Sequence, residues 1–215
     1  NNYVISGLYI ETTTDYVGLF GYANAEFYNI TLTNSYISGN MYVGGIVGYQ
    51  DKLGATISNL SFSGTVNGYN YVGGIGGRIS HSYVSLIINY GNVSGNDNVG
   101  GLIGYFYTYS LTNSINYGNV TGNNNVGGIS GFQYYGFDNI ENHGDVTGNN
   151  NVGGISGYLK RQARLSNVKN YGDIFGLNYV GGIFGTKDNF RSYSVSNAHN
   201  LGLVEGDSYV GGIAG

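Results

Sequence analysis

Hydrophobic residues recur along this 215-residue chain at a period much longer than that of any strand or helix. Val17, Val43, Val72, Val99, Val126, Val152, Val180 and Val210 follow one another at steps of 26, 29, 27, 27, 26, 28 and 30 residues. Each opens a glycine-rich phrase such as "YVGGIVGY" from Tyr42 or "NVGGISGY" from Asn151. A sustained period of this length marks a stack of repeated units, each too small to bury its own core. Aligned on these valines, a rigid block begins 13 residues upstream, at Asn59, Leu86, Asn113, Asn139, Asn167 and Asn197. Four apolar columns then emerge. The first runs Leu60, Ile87, Ser114, Ile140, Val168 and Ala198, and the second Val66, Val93, Val120, Val146, Ile174 and Val204. The anchor valines are the third, and the aliphatics three residues beyond them (Ile75, Leu102, Ile129, Ile155, Ile183, Ile213) the fourth. These columns are the expected core.

Strict alternation would send Val72 and Ile75 to opposite faces, so if both point inward the chain bends between them, where Gly73 and Gly74 permit it. The "NYGNV", "NHGDV" and "NYGDI" stretches from Asn89, Asn116, Asn142 and Asn170 place Asn and Gly at a second corner, read as residues that tolerate left-handed backbone angles. Short β-branched runs between two corners predict a coil of strands, and the wealth of Gly, Asn, Val, Ile and Tyr argues against helical repeats. The expected fold is all-β: one parallel β-helix over residues 1–215, with about seven coils of 26 to 30 residues and right-handed by the usual chirality of parallel crossovers. Stacked coils would set Asn89, Asn116, Asn142, Asn170 and Asn200 one above another as a side-chain amide ladder.

Composition narrows the function. Forty glycines without a proline do not fit collagen's three-residue period, and the absence of cysteine excludes disulfides and thiolate metal sites. Only 9% of residues are charged, with a net charge of −4, which gives no basic field for nucleic acid. No apolar run is long enough for a membrane-spanning helix. A chain that opens at Asn1 and stops within a motif copy at Gly215 reads as a piece of a longer protein.

"GLFG" from Gly18 and "GLIG" from Gly101, with "GIVG" from Gly45, "GIGG" from Gly74, "GISG" from Gly128 and Gly154 and "GIFG" from Gly182, resemble the GLUG-motif repeat family of large bacterial surface proteins, which includes adhesins and IgA-specific metallopeptidases. The resemblance implies an extracellular module at the bacterial cell surface and carries no catalytic residue to this chain. No His-Glu-x-x-His is present. The Gly-rich phrase also lacks the Lys-Ser/Thr and helix of a phosphate loop.

Length variation between blocks is confined to the segments opening at Tyr49, Arg78, Tyr105, Phe132, Tyr158 and Thr186. These segments hold Lys52, Arg78, Lys160, Arg161, Arg164, Lys187 and Arg191, and aromatic runs such as "YFYTY", "FQYYGF" and "DNFRSY". Two readings fit: a recognition edge for a glycan or host-cell protein, with Tyr105, Tyr107, Tyr134 and Tyr135 as the contact patch, or ordinary loops whose in-register rings pack on one another. Asp145 and Asp173 share a column in consecutive coils. They are candidates for a Ca²⁺ site or a carboxylate pair, set against a plain turn role that Asn92 and Asn119 fill elsewhere. No other cofactor is expected. The expectation is a non-enzymatic stalk or adhesin. The alternatives are a filament protomer that self-associates end to end and, behind it, a polysaccharide-active β-helix enzyme.

Overall fold

A computed structural model describes residues 3–160, 163–188 and 194–215, so Arg161, Arg191 and most of the "DNFRSY" stretch lie outside the described residues. Among the described residues every element is a β-strand, and the ladders between coils are parallel throughout. One coil reads Ser110–Asn116, Val120–Thr121, Asn124–Gly127 and Ser130–Gln133. The strands stack into three sheets, two of them of seven strands each, giving a β-solenoid of about seven turns.

The four predicted columns form the interior, except in the last coil, where Val210 and Ile213 are exposed. Val43, Val72, Val99, Val126, Val152, Val180 and Val210 pair in register from coil to coil, as do Val66, Val93, Val120, Val146, Ile174 and Val204. Val126 and Ile129 are fully buried. The polar exception, Ser114, fits because its hydroxyl donates to the Thr112 carbonyl at 2.8 Å and accepts from the Ile87 amide at 3.2 Å. Two further core columns come from the segments that vary in length: Ile57, Val84, Leu111, Phe137 and Leu165, and Ile79, Phe106, Gln133 and Leu159. Their residue types differ too much between coils to stand out as a repeat.

The corners lie where expected, with the chain bending at Gly74–Ile75 and at the "NYG" stretches, but their backbone angles differ from the expectation. Left-handed φ does not occur at the Gly-Gly pair or at the "NYG" asparagines. It falls on the residue before each anchor valine (Tyr16, Tyr42, Tyr71, Asn98, Asn125, Asn151, Tyr179, Tyr209) and on the first residue of each block (Asn59, Leu86, Asn113, Asn139, Asn167, Asn197). Each such residue kinks a strand so that two consecutive side chains face outward, as Thr112 and Asn113 do, before the inward alternation resumes at Ser114. The glycines instead allow close approach. A Cβ on Gly128 would lie 2.3 Å from the Asn142 side chain, and one on Gly118 would lie 1.8 Å from the Gly91 carbonyl oxygen.

The asparagine ladder is present, buried from Asn89 to Asn170 and part-buried at Asn200. Asn89 donates to Asn116 at 2.8 Å, Asn116 to Asn142 at 2.8 Å, Asn142 to Asn170 at 2.8 Å and Asn170 to Asn200 at 2.7 Å. The second hydrogen of each amide goes to the carbonyl two residues on, for example Asn142 to Gly144 at 2.7 Å. A buried amide with both N–H groups donated incurs little of the desolvation penalty of an orphaned one.

Candidate functional site

On the outer face of the sheet containing Ile103–Tyr107, one column runs Tyr22, Tyr49, Arg78, Tyr105, Phe132, Tyr158. Parallel in-register strands hold equivalent side chains about 5 Å apart, which suits face-to-face rings. Tyr105 stacks on Phe132 at 4.9 Å and Phe132 on Tyr158 at 5.1 Å. Where the column changes type, the Arg78 guanidinium lies 4.9 Å from the Tyr49 ring centre and 5.0 Å from that of Tyr105, bridging the stack as a cation–π sandwich. Burial, and after it the neighbouring Tyr134 phenol, pushes the Tyr105 hydroxyl up to about 12. Ring faces engaged along the stack are closed to a ligand, so Tyr105 belongs to the scaffold rather than to a free patch.

The other three predicted contact residues meet one another, and Tyr134 also touches Tyr105 at 6.3 Å between ring centres. Tyr107 packs edge-on against Tyr134 at 4.7 Å and lies 5.9 Å from Tyr135, with Tyr134 and Tyr135 6.1 Å apart. Burial, followed by the Tyr107, Tyr134 and Tyr109 phenols, raises the Tyr135 hydroxyl pKa. The turn carrying the pair is tied from below by buried Gln133, which donates to the Tyr135 carbonyl at 2.6 Å. Lys160 sits 5.5 Å from the Tyr134 ring centre. The rings of this group meet at mixed angles, from 37° between Tyr134 and Tyr135 to 88° between Tyr107 and Tyr134, unlike the near-parallel stack beside it, and all three are part-buried.

At the "NYG" corner a second stack forms from Tyr90, Tyr117, His143 and Tyr171 with centroid spacings of 5.2, 4.8 and 4.4 Å. The imidazole fills a tyrosine slot that the sequence pattern alone did not connect to the stack. Next to it, Glu141 accepts from Lys169 at 3.2 Å and lies 3.2 Å from His143. Burial raises the Glu141 carboxyl, but the hydrogen bonds from His143 and Lys169 outweigh it and hold the group below its usual range.

Asp145 and Asp173 are stacked as predicted, and each carboxylate already has a backbone partner. Asn92 accepts from the Asn119 amide at 3.0 Å, Asn119 from Asp145 at 3.0 Å, Asp145 from Asp173 at 2.9 Å and Asp173 from Leu203 at 2.8 Å. Aspartate and asparagine do the same work in this column. Among the described residues no third acidic or histidine side chain joins them to make a metal-binding group.

A parallel β-solenoid of short Gly-rich repeats, with stacked polar and aromatic columns, is the class these observations define. Residues 39–67 match the family model described as the GLUG motif, and the remaining coils carry similar residues in register. Halomucin from Haloquadratum walsbyi is 36% identical over 84 residues, which cover 37% of this chain and 1% of that protein. The chain therefore spans a very small part of its curated relative. The crystal structure of a candidate immunoglobulin A1 protease from Bacteroides ovatus shares the fold with a TM-score of 0.70 at 20% identity, over 93% of this chain and 67% of that one.

Proposed function

We propose that this chain is a non-enzymatic extracellular module of a surface protein. Its stacked coils supply rigid length, and its aromatic edge around Tyr107, Tyr134 and Tyr135 contacts a glycan or cell-surface protein. The observation that carries this reading is the division of roles across each coil. Interior and corner columns repeat the same hydrogen bonds and stacks from coil to coil, whereas the one edge that departs from the repeat gathers rings of mixed orientation with a lysine beside them. Repeat proteins commonly concentrate such variation on the face that binds. The Halomucin similarity supports an extracellular repeat protein and, at 1% of that protein's length, says nothing about its partners. The fold likeness to a candidate protease, at 20% identity, transfers no activity.

Asp145 and Asp173 are read as corner residues. Each commits one oxygen to an amide of the next coil, and two remaining oxygens fall well short of the roughly six to eight that Ca²⁺ takes. If this is wrong, millimolar Ca²⁺ raises the melting temperature and Asp173→Asn abolishes the rise.

The test is an adhesion assay with the purified chain on cells and glycan arrays, alongside its solution mass. Monomeric protein that adheres, and loses adhesion when Tyr107, Tyr134 and Tyr135 become Ser with circular dichroism unchanged, supports the reading. Concentration-dependent end-to-end assembly without adhesion would replace it with the filament alternative.

A further inference from the structure

The long sheet carries a groove of about 550 Å³ on its outer face, away from the Gly-Gly motif and from the paired aspartates. It arises from a change of size in one column. Tyr83, Ser110, Gly136 and Arg164 stand in register in successive coils, so two small residues leave a trough between large ones. Tyr109, 42% exposed, forms one wall, braced by Tyr83 at a ring distance of 5.0 Å. Thr112, Asp138 and Ser166 pair across three coils beside the trough and supply hydroxyls and one carboxylate. Asp138 uses one oxygen to accept from Asn167 at 2.8 Å. Among the described residues the Arg164 guanidinium has no hydrogen-bond or ion-pair partner, and it lines the groove.

We propose that this groove is a binding site for a neutral oligosaccharide, with Tyr109 as the stacking wall, Asp138 and the hydroxyl row as acceptors and donors for sugar hydroxyls, and Arg164 as the donor on the far side. The volume suits a few sugar rings, within the roughly 300 to 1,000 Å³ typical of small-molecule sites. An extended peptide has little to grip. The strands under the groove, Ser110–Asn116, Gly136–Asn142 and Arg164–Asn170, are each paired on both sides, so none offers a free edge for strand addition. A polyanionic sugar would bring its carboxylates against Asp138, in a chain whose net charge is already −4. A neutral polyol matches a lining of one acid, one base, hydroxyls and an aromatic ring. The site deepens the adhesive reading and rests on it for its biological setting, while its binding chemistry stands independently.

The experiment is ligand-observed NMR and calorimetry of the whole chain with neutral glucan- and mannan-derived tetrasaccharides and with tetragalacturonate. At least one neutral tetrasaccharide should bind, and the acidic one at least about tenfold more weakly. Gly136→Leu should fill the trough. A Cβ there meets nothing closer than Arg164 at 3.5 Å, so thermal unfolding should stay near that of the parent while affinity falls at least about tenfold. Should that variant fail to fold, Arg164→Met carries the same expectation. Asp138→Asn should narrow the gap between neutral and acidic sugars. Unchanged affinity in folded Gly136→Leu or Arg164→Met, or absence of binding to any neutral tetrasaccharide, overturns the site. Cell adhesion that persists through Tyr107, Tyr134 and Tyr135 in that case would leave the adhesive reading intact. A groove that binds sugar in a chain that does not adhere would do the opposite.

Discussion

Two regions of the solenoid fill one interior position with opposite chemistry. In the early coils Leu32 and Phe62 occupy the register that Asn89, Asn116, Asn142, Asn170 and Asn200 occupy afterwards. The early coils run through this point as the unbroken strands Phe27–Ser38 and Ala55–Asn67, whereas the later ones break into two strands at an "NYG" or equivalent corner, as in Ser82–Asn89 and Asn92–Ser94. An apolar side chain needs no partner, so the early coils require nothing of their neighbours beyond packing. The asparagine caps its own corner carbonyl and also hydrogen-bonds the coils above and below. Once a ladder begins, every member depends on the next, and the slot ceases to be interchangeable.

Placing a carboxylate where neither chemistry applies should have the largest effect. Val126→Asp buries an unpaired charge between the valines of two neighbouring coils and should cost more than about 4 kcal/mol, read as loss of cooperative unfolding or a collapse in melting temperature. An unchanged melt would mean that the anchor column is not core.

Next comes Asn142→Leu, which tests the comparison itself. Leucine fits this register at Leu32, fully buried, yet at position 142 it would orphan amide groups on Asn116 and Asn170 and should cost about 2 to 4 kcal/mol by denaturant unfolding. A neutral result would make the ladder ornamental.

A smaller effect separates scaffold from edge. Tyr105→Ser opens the stack between Arg78 and Phe132 and should cost about 1 to 2 kcal/mol, while Tyr134→Ser should stay within about 0.5 kcal/mol and act on binding instead. Equal costs would erase the distinction drawn between the two groups of rings.

Smallest is the alkaline response. The Tyr105 hydroxyl, raised by burial from 10.0 to about 12, holds its proton more tightly folded than unfolded. Its contribution to stability is intact below about pH 10 and is lost as pH rises from there through about 12. Tyrosinate absorbance alongside unfolding should show this, and Tyr105→Phe should flatten the slope in that window.

Much of the fold was legible because its period is written in the sequence. Fixed spacing between Asn139, Val146, Val152 and Ile155 leaves few geometries other than a coil, and identical asparagines at identical offsets imply stacked amides. The corners were legible in position, but their backbone angles were misread because Gly and Asn are compatible with two explanations. At Gly74 and Gly128 the cause is crowding by the ladder, which only the neighbouring coil reveals, while left-handed φ falls on other asparagines, such as Asn98 and Asn113, and also on Tyr71 and Leu86, which no turn rule favours. The aromatic edge was half legible. Sequence brought Tyr105, Tyr107, Tyr134 and Tyr135 to one place, but ring orientation, which separates Tyr105 in a parallel stack from three rings at mixed angles, depends on side-chain packing. The groove at Gly136 carries no motif at all, since it exists only through what stands in the adjacent coils.

The most direct test of a ladder that couples coil to coil is a double-mutant cycle between Asn116 and Asn142, with each changed to Leu alone and together and unfolding free energies measured in denaturant. A hydrogen bond at 2.8 Å between buried amides should give a coupling of about 1 kcal/mol or more, the double variant losing less than the sum of the singles because the second leucine removes a group the first had orphaned. Additivity within about 0.3 kcal/mol would show the two asparagines acting independently and would contradict it.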